Sequence, residues 1–211
     1  SASPYAGPMC SISAVSRLVM AVETELGQRG SLGIGIPGAE SLANGLIKNA
    51  NSTCLIGQSL RGDLETLLRR EVRLANDANC FALSEASDGA GRGAEVVFGV
   101  ILGTGVGGGI VVRGHVVNGA NAIAGEWGHN PMPWPRAATG AAIDCYCGKQ
   151  DCIETFLSGP GWAARSGLGI SAEQLAASVR QGNPQAIQAL ERYCEDLARG
   201  LAAVINLLDP H

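Results

Sequence analysis

The chain has 211 residues, of which 46% are hydrophobic, and its formal net charge is −4. This length suits one large domain or two small ones, and the apolar content is enough for a packed core. The acidic balance argues against nucleic acid or an anionic membrane surface as the main partner. The sequence contains no apolar run of about 18 residues, so it predicts no membrane span.

The first predicted elements alternate between helix and strand. Apolar residues recur at helical spacing from Ile12 to Leu26, and SLGIGIPG (31–38) is typical of a short buried strand that ends at a Pro-Gly turn. Residues 49–60 predict a polar loop, and a second helical pattern runs from Leu60 to Arg70. EVRLANDAN (71–79) predicts a strand that leads into another helix. This alternation indicates an α/β lobe.

Asn76 and Asp77 lie at this predicted junction between strand and helix, where a side chain can project into a cleft. An aspartate in such a place can take a proton from an alcohol that attacks a phosphoryl group. The alternative is that Asp77 only caps the helix, since the free N–H groups at a helix start accept a carboxylate. The residues alone leave both roles open.

The segment at 95–119 is rich in β-branched residues and glycine, and it predicts three strands joined by tight turns. Its GTGVGG sequence matches G-x-G-x-x-G, but a dinucleotide-binding motif requires a helix to follow, and a β pattern follows here. We therefore reject that interpretation, and no Walker A sequence occurs. A turn of Gly103, Thr104 and Gly105 can still direct backbone N–H groups and a hydroxyl at a phosphate. The alternative is that its glycines serve only the strand reversal.

The segment at 126–154 gathers one histidine, three cysteines and two glutamates. His129, Cys145, Cys147 and Cys152 offer an imidazole and three thiolates, a closed tetrahedral set typical of structural zinc. The alternative is a Cys147–Cys152 disulfide beside an unrelated histidine. The chain has seven cysteines, an odd number, so they cannot all pair within it.

Glu126 and Glu154 bracket this loop. A metal-stiffened loop can hold both carboxylates against sugar hydroxyls, and ordinary solvated glutamates are the alternative. Two helical patterns, at 171–179 and 186–209, close the chain. The start of the sequence has no signal-peptide pattern, so we expect a cytoplasmic protein with reduced cysteines.

Six segments together resemble the ROK (repressor, open reading frame, kinase) family of sugar kinases, most closely its bacterial fructokinase or manno(fructo)kinase members. They are GIGIPG (33–38), KNANST (48–53), EVRLANDANC (71–80), LGTGVGGGIV (102–111), AGEWGHNPMPW (124–134) and CYCGKQDCIET (145–155). The ordered combination of E-x-G-H with C-x-C-G-x-x-x-C-x-E is highly specific to that family. The resemblance covers nearly the whole chain.

The resemblance implies an α/β fold of the actin-like ATPase (ribonuclease H-like) type, with sugar and ATP in a cleft between two lobes. We expect a remnant of the N-terminal lobe at residues 1–76 and a larger C-terminal lobe with the zinc loop at residues 77–211. Such a protein phosphorylates a hexose, by family habit at C6. It needs Mg²⁺ to offset the charge of ATP. The family expectation is a homodimer.

The resemblance also implies roles for individual residues. It makes Asp77 the general base that deprotonates the sugar hydroxyl, and Gly103, Thr104 and Gly105 the second phosphate-binding motif. The positions that match the sugar pocket are Pro37, Gly38, Asn51, Asn76, Asp77, Glu126, His129 and Glu154. His129 is also a ligand of the structural Zn²⁺, together with the three cysteines.

Three features depart from the family pattern. The D-x-G-G-T-K strand and turn that grips ATP phosphates is absent, and the sequence stops before the Gly-Gly turn near the adenosine. Asp151 stands where the zinc loop usually has glycine. We therefore expect a fold that is incomplete at both termini, as in a core fragment of a longer kinase.

The sequence favours fructose or mannose as the sugar, because KNANST and EWGHNPMPW resemble the fructokinase branch. N-acetylglucosamine or glucose is the alternative within the same class, since NDANCFALSEA and LGTGVGGG are shared across these branches. A sugar-responsive transcriptional repressor and a non-catalytic kinase fragment are the alternatives from other classes.

Overall fold

The structure is a computed structural model that describes residues 8–50, 52–134 and 142–211. Over these residues the helices are α1 (Pro8–Leu26), α2 (Leu60–Leu68), α3 (Asp77–Ser87), α4 (Ile153–Leu157), α5 (Gly159–Ser166), α6 (Ala172–Arg180) and α7 (Pro184–Leu208). The strands are β1 (Gly33–Ile36), β2 (Ala39–Glu40), β3 (Ile47–Lys48), β4 (Arg73–Asn76), β5 (Val96–Leu102), β6 (Val106–Val112) and β7 (His115–Val116). Short 3₁₀ helices cover Thr53–Leu55 and Trp127–His129. Within these ranges, no helix is both long and apolar enough to cross a membrane.

The described residues divide into two compact units. Unit 1 runs to Cys80 and adds Asn118–Ala124, and unit 2 comprises Phe81–Val117 and Gly125–His211. The two lobes expected at residues 1–76 and 77–211 stay a prediction about the whole protein.

Unit 1 contains a parallel pair of strands. β1 and β4 pair with Ile36 opposite Asn76, so the carboxyl ends of both strands lie at the same edge. Buried side chains from α1, α2 and the segments around these strands form one apolar core. Its members are Ile12, Ile36, Ile47, Ala50, Leu55, Leu60, Leu64 and Val72. The core therefore fixes the edge from which Pro37 and Asp77 leave the strands.

Unit 2 contains an antiparallel sheet with the strand order β5-β6-β7. Leu102 lies opposite Val106, so a tight turn of three residues joins β5 to β6. The main apolar core of the unit consists of Val106, Trp127, Met132, Ile153, Phe156 and Leu157. α7 approaches this core closely at Gly200, where an added Cβ would lie 3.1 Å from Trp127 Cζ3.

Most of the predicted elements are confirmed, and their observed bounds differ by a few residues. The structure adds two helices that the apolar periodicity did not predict, α4 and α5. The sequence Ser-Gly-Pro-Gly at 158–161 breaks the periodic pattern between them. The same residues nevertheless start α5, because the Ser158 hydroxyl accepts the Gly161 N–H at 3.1 Å and proline is favoured in a first turn.

We expect Leu157→Ala to lower the free energy of unfolding by about 2–5 kcal/mol, because it leaves a cavity in a core site that solvent does not reach. Chemical denaturation of the chain measures this change. Leu207→Ala is the matched control, since Leu207 is 83% exposed, and its effect should stay within about 0.5 kcal/mol. Equal effects of both substitutions would contradict the assigned core.

Candidate active site

Asn76 and Asp77 have different roles at the junction of β4 and α3. Asn76 Oδ1 accepts the backbone N–H of Asn79 at 3.1 Å, which is the contact that an N-cap residue makes. Asp77 Oδ1 accepts only the adjacent N–H of Ala78, at 2.8 Å, among the contacts described. The capping role considered for Asp77 therefore belongs to Asn76. Asp77 is an exposed carboxylate in the first turn of α3, where the helix dipole favours negative charge.

The turn after β1 is held against this junction. Asn76 Nδ2 donates to the Gly38 carbonyl at 2.9 Å. Gly38 has φ +82°, and an added Cβ would lie 2.5 Å from the Lys48 carbonyl oxygen, so glycine is required there. Pro37 is half-buried beside it. The structure thus brings Gly38, Asn76 and Asp77 to one edge of unit 1, whereas Asn51 lies outside the described residues.

The four predicted metal ligands converge in unit 2. The ligand atoms of His129, Cys145, Cys147 and Cys152 all lie within 4.8 Å of one another. The Cys145 sulfur is 3.6 Å from His129 Nδ1, and the Cys147 sulfur is 3.6 Å from that of Cys152. A disulfide requires about 2.05 Å, so the alternative Cys147–Cys152 bond is not present and these cysteines are free.

The spacing fits a tetrahedral zinc ion. Bond lengths of about 2.3 Å to sulfur and about 2.0 Å to nitrogen place tetrahedral ligands about 3.8 Å apart for sulfur–sulfur and about 3.5 Å apart for sulfur–nitrogen. The two observed distances of 3.6 Å are close to these values. With Nδ1 facing the sulfurs, His129 Nε2 lies 3.0 Å from the Tyr146 hydroxyl, the kind of outer partner that orients a metal-binding imidazole.

A short hairpin folds the cysteines together. Cys145 donates its N–H to the Lys149 carbonyl at 2.8 Å, and Gly148 donates back to the Cys145 carbonyl at 3.0 Å. Gly148 has φ +85°, which permits the reversal. Asp151, where the family pattern has glycine, has φ +52°. Its Oδ1 accepts the Ile143 N–H at 2.9 Å, and such local hydrogen bonding is what lets aspartate occupy a left-handed position.

The pKa values of the three cysteines in the cluster shift in different directions. Burial raises the pKa of Cys152 to about 12 and also raises the pKa of Cys145. Desolvation of Cys147 would raise its pKa too, but hydrogen bonds from the Lys149 backbone N–H and from the other two thiols outweigh it, and its pKa is lowered. Cys147 is therefore the thiol that is deprotonated most easily.

The phosphate-turn candidates and the two glutamates also lie in unit 2. Gly103 and Thr104 are exposed, and the Gly103 N–H donates to the Gly105 carbonyl at 2.9 Å. Glu154 is 9% exposed, and its Oε2 accepts the Val106 N–H at 2.9 Å. Glu154 is therefore not an ordinary solvated glutamate. Glu126 is half-buried and immediately precedes the 3₁₀ helix of the E-W-G-H segment.

The E-W-G-H segment lies directly on β6, which the sequence did not predict. Trp127 Nε1 donates to the Gly107 carbonyl at 2.8 Å. An added Cβ at Gly128 would lie 2.1 Å from the Val106 carbonyl oxygen, so glycine is required there. The adjacent Trp127 and Gly128 were the only sequence feature that could have indicated this packing. The contact places His129 and Glu126 beside the start of β6.

Comparison with known proteins shows the family to which these features correspond. A model of the ROK family matches residues 8–211. The N-acetyl-D-glucosamine kinase of Yersinia enterocolitica is 43% identical over 193 residues, which cover 88% of this chain and 64% of that protein. The chain therefore spans slightly less than two thirds of that relative's length.

Several solved structures are similar to the chain, among them two ROK sugar kinases. The ROK hexokinase from Thermus thermophilus superposes with a TM-score of 0.82 at 28% identity, over 98% of this chain and 69% of that one. A ROK family glucokinase from Streptomyces griseus, solved with glucose and AMPPNP, superposes with a TM-score of 0.76 at 26% identity, over 94% of this chain and 68% of that one. These similarities confirm the predicted actin-like α/β fold class.

We expect Asp151→Gly to keep its metal and to change the free energy of unfolding by no more than about 1 kcal/mol, the contribution of one hydrogen bond. Asp151→Val should cost about 1–2 kcal/mol or more and lower the zinc content, because a β-branched residue is strained at φ +52°. Metal analysis and denaturation measure both effects. Asp88→Val is the control, since Asp88 is exposed and outside the positive-φ positions. Normal zinc binding and stability in Asp151→Val would contradict this account of the turn.

Zinc binding to the metal-free protein should release protons near neutral pH, including those of Cys145 and Cys152, whose pKa values are raised. Because protons compete with the metal, affinity should fall as pH is lowered. Titration calorimetry in buffers of different ionisation enthalpy counts the protons. An affinity that does not change between pH 6 and pH 8 would exclude thiolate ligation.

Proposed function

The chain belongs to the ROK family, and on that premise we propose that the whole protein is an ATP-dependent sugar kinase that phosphorylates N-acetylglucosamine. The observation that carries the proposal is the exposed carboxylate of Asp77 in the first turn of α3. Because Asn76 caps the helix, Asp77 is not required for that purpose. Since the chain spans 64% of the Yersinia relative, the activity is proposed for the whole protein.

In the proposed reaction, Asp77 accepts the proton of the sugar hydroxyl as that oxygen attacks the γ-phosphorus of ATP. The bond to the β–γ bridging oxygen breaks, and ADP leaves. Phosphoryl transfer depends mainly on positioning and charge stabilisation, and Mg²⁺ bound with ATP would supply part of the charge stabilisation. The Gly103 N–H is bonded to the Gly105 carbonyl, so the exposed Thr104, with its hydroxyl and backbone N–H, is the donor that this turn offers to phosphate oxygens.

The proposed role of zinc is structural. Three thiolates and one imidazole complete a tetrahedral shell and leave no open position for a reacting water. His129, Cys145, Cys147 and Cys152 would hold the ion. Its effect would be to stiffen the segments that carry Glu126 and Glu154, which we propose as hydrogen-bonding partners of the sugar hydroxyls together with Asn76. Pro37, Gly38 and Asn51 are proposed to lie in the loops beside the sugar.

N-acetylglucosamine replaces the fructose or mannose that the sequence analysis favoured. The support is the 43% identity between this chain and the N-acetyl-D-glucosamine kinase of Yersinia enterocolitica. The similarity of KNANST and EWGHNPMPW to the fructokinase branch is weaker support, because those segments are short. We propose the 6-phosphate as the product. The homodimer stays a prediction from the family resemblance.

A sugar-responsive repressor is the second class considered for the chain. Such a protein must bind sugar, but it needs no group to take a proton from a hydroxyl. The Asp77 carboxylate is explained by the kinase and not by the repressor. Turnover of ATP in the presence of sugar separates the two functions.

We expect the whole protein to release ADP from Mg-ATP with N-acetylglucosamine faster than with glucose, fructose or mannose in a coupled assay. Asp77→Asn should lower kcat by about 10²–10⁴-fold while calorimetry still detects sugar binding, because the substitution removes the base and keeps the shape. Asp63→Asn is the matched control, since Asp63 is also an exposed first-turn carboxylate, in α2.

Three outcomes would contradict parts of the proposal separately. Near-normal turnover by Asp77→Asn would remove Asp77 as the base. Preferred turnover of fructose would overturn the choice of sugar. An absence of turnover on all four sugars by the metal-loaded whole protein would overturn the kinase function.

A further inference from the structure

The buried carboxylate of Glu154 contacts the strand that follows the proposed phosphate turn. Its Oε2 accepts the N–H of Val106, the first residue of β6, at 2.9 Å. Burying a carboxylate carries a large desolvation cost unless hydrogen bonds compensate for it. A glutamate used only for sugar hydroxyls would have no need of this backbone donor. The contact therefore indicates a second role for Glu154.

The turn is shaped to receive this carboxylate. An added Cβ at Gly105 would lie 2.9 Å from Glu154 Oε2, so glycine at that position allows the close approach. On the other side of the turn, the Gly103 carbonyl accepts the Gly159 N–H at 2.8 Å. Glu154 lies in α4 and Gly159 begins α5. Both ends of the turn are therefore held by the corner between these two helices.

The position of that corner depends in turn on the metal-ligand cluster. Cys152 is the N-cap residue of α4, two residues before Glu154. The Thr155 hydroxyl donates to the Cys152 carbonyl at 2.8 Å, and the Ile153 N–H donates to the Asn130 carbonyl at 2.9 Å. Asn130 directly follows His129. A continuous set of bonds thus runs from two metal ligands through α4 to the start of β6.

We propose that Glu154 is a positioning residue for the phosphate-binding turn of Gly103, Thr104 and Gly105, in addition to any contact with sugar. This inference rests on the proposed kinase function and deepens it. One carboxylate oxygen holds the backbone that presents the turn to nucleotide phosphates. Loss of that acceptor weakens nucleotide binding, even though Glu154 itself need not contact the nucleotide.

Two substitutions separate the acceptor from the charge. Glu154→Ala removes the acceptor and leaves the buried Val106 N–H without its partner, and it should raise the dissociation constant for Mg-AMPPNP by roughly tenfold to hundredfold. Glu154→Gln keeps an acceptor oxygen of the same reach, and it should leave that constant within about threefold. Both variants should raise KM for the sugar. Calorimetry of the zinc-loaded whole protein without sugar measures the nucleotide constant.

A general loss of structure is distinguished by two further variants. Gly105→Ala keeps Glu154 but forces its carboxylate away, and its φ permits alanine, so it should weaken Mg-AMPPNP binding as Glu154→Ala does. If Glu154→Ala does not fold, Gly105→Ala still tests the positioning role of Glu154. Glu173→Ala is the matched control, because Glu173 is an exposed first-turn glutamate of α6, and its nucleotide affinity should equal that of the wild type.

The outcomes separate the inference from the proposed function. Unchanged Mg-AMPPNP affinity in Glu154→Ala or Gly105→Ala, with sugar phosphorylation by the wild type, would overturn the positioning role and leave the kinase function standing. Equal losses in Glu154→Ala and Glu154→Gln would also overturn it, because charge and not the acceptor would then matter. Absence of Mg-AMPPNP binding and turnover in the wild type would overturn the proposed function, and the inference with it.

Discussion

The hydrogen bond between the Val106 N–H and the buried Glu154 carboxylate organises much of unit 2. It joins residues 48 positions apart in sequence, at the point where β6 begins. Trp127 and Gly128 pack on the same strand, through the indole bond to Gly107 and a backbone approach that a side chain would block. Three separate segments therefore meet at the first residues of β6. A displacement of that strand would move the turn at residues 103–105, the E-W-G-H segment and α4 together.

The cluster of candidate metal ligands is connected to this strand through α4, which its ligand chemistry alone does not indicate. Its hairpin is small, and burial holds only part of it, since Cys145 and Cys152 are buried whereas Cys147 and Tyr146 are exposed. Ligand bonds to one ion would add to the stability that this burial supplies, because metal-binding free energy is coupled to folding. Since Cys152 occupies the N-cap position of α4, any stiffness that a bound metal adds to the cluster would reach Glu154 within a single helical turn. A structural metal can in this way influence a site that it does not touch.

In unit 1, strand pairing and the side chain of Asn76 position the residues at the edge of β1 and β4. The parallel pairing of β1 and β4 aligns Ile36 with Asn76, and the Asn76 amide then serves both α3 and the Gly38 carbonyl. One amide can do this because it has a donor and an acceptor on the same planar group. An aspartate at position 76 could not donate to the carbonyl. The order Asn-Asp therefore matters, since the neutral residue builds the junction and the charged residue stays exposed.

The sequence by itself determined the family-specific motifs, the cluster of candidate metal ligands and most of the regular elements. These depend on local spacing: helical periodicity from Ile12 to Leu26, alternating β patterns at 95–119, and cysteines close enough to share one ion. The preference of the sequence analysis for fructose or mannose relied on short segments. Members of a family share the spacing of their pocket residues, so this spacing does not indicate which sugar is preferred.

Only the tertiary structure decided which residue caps α3, that Glu154 is buried, and that α4 and α5 form a corner beside the turn at residues 103–105. Each of these depends on contacts between segments that are distant in sequence. Local patterns cannot specify them, because burial and hydrogen-bond partners are set by how the chain packs.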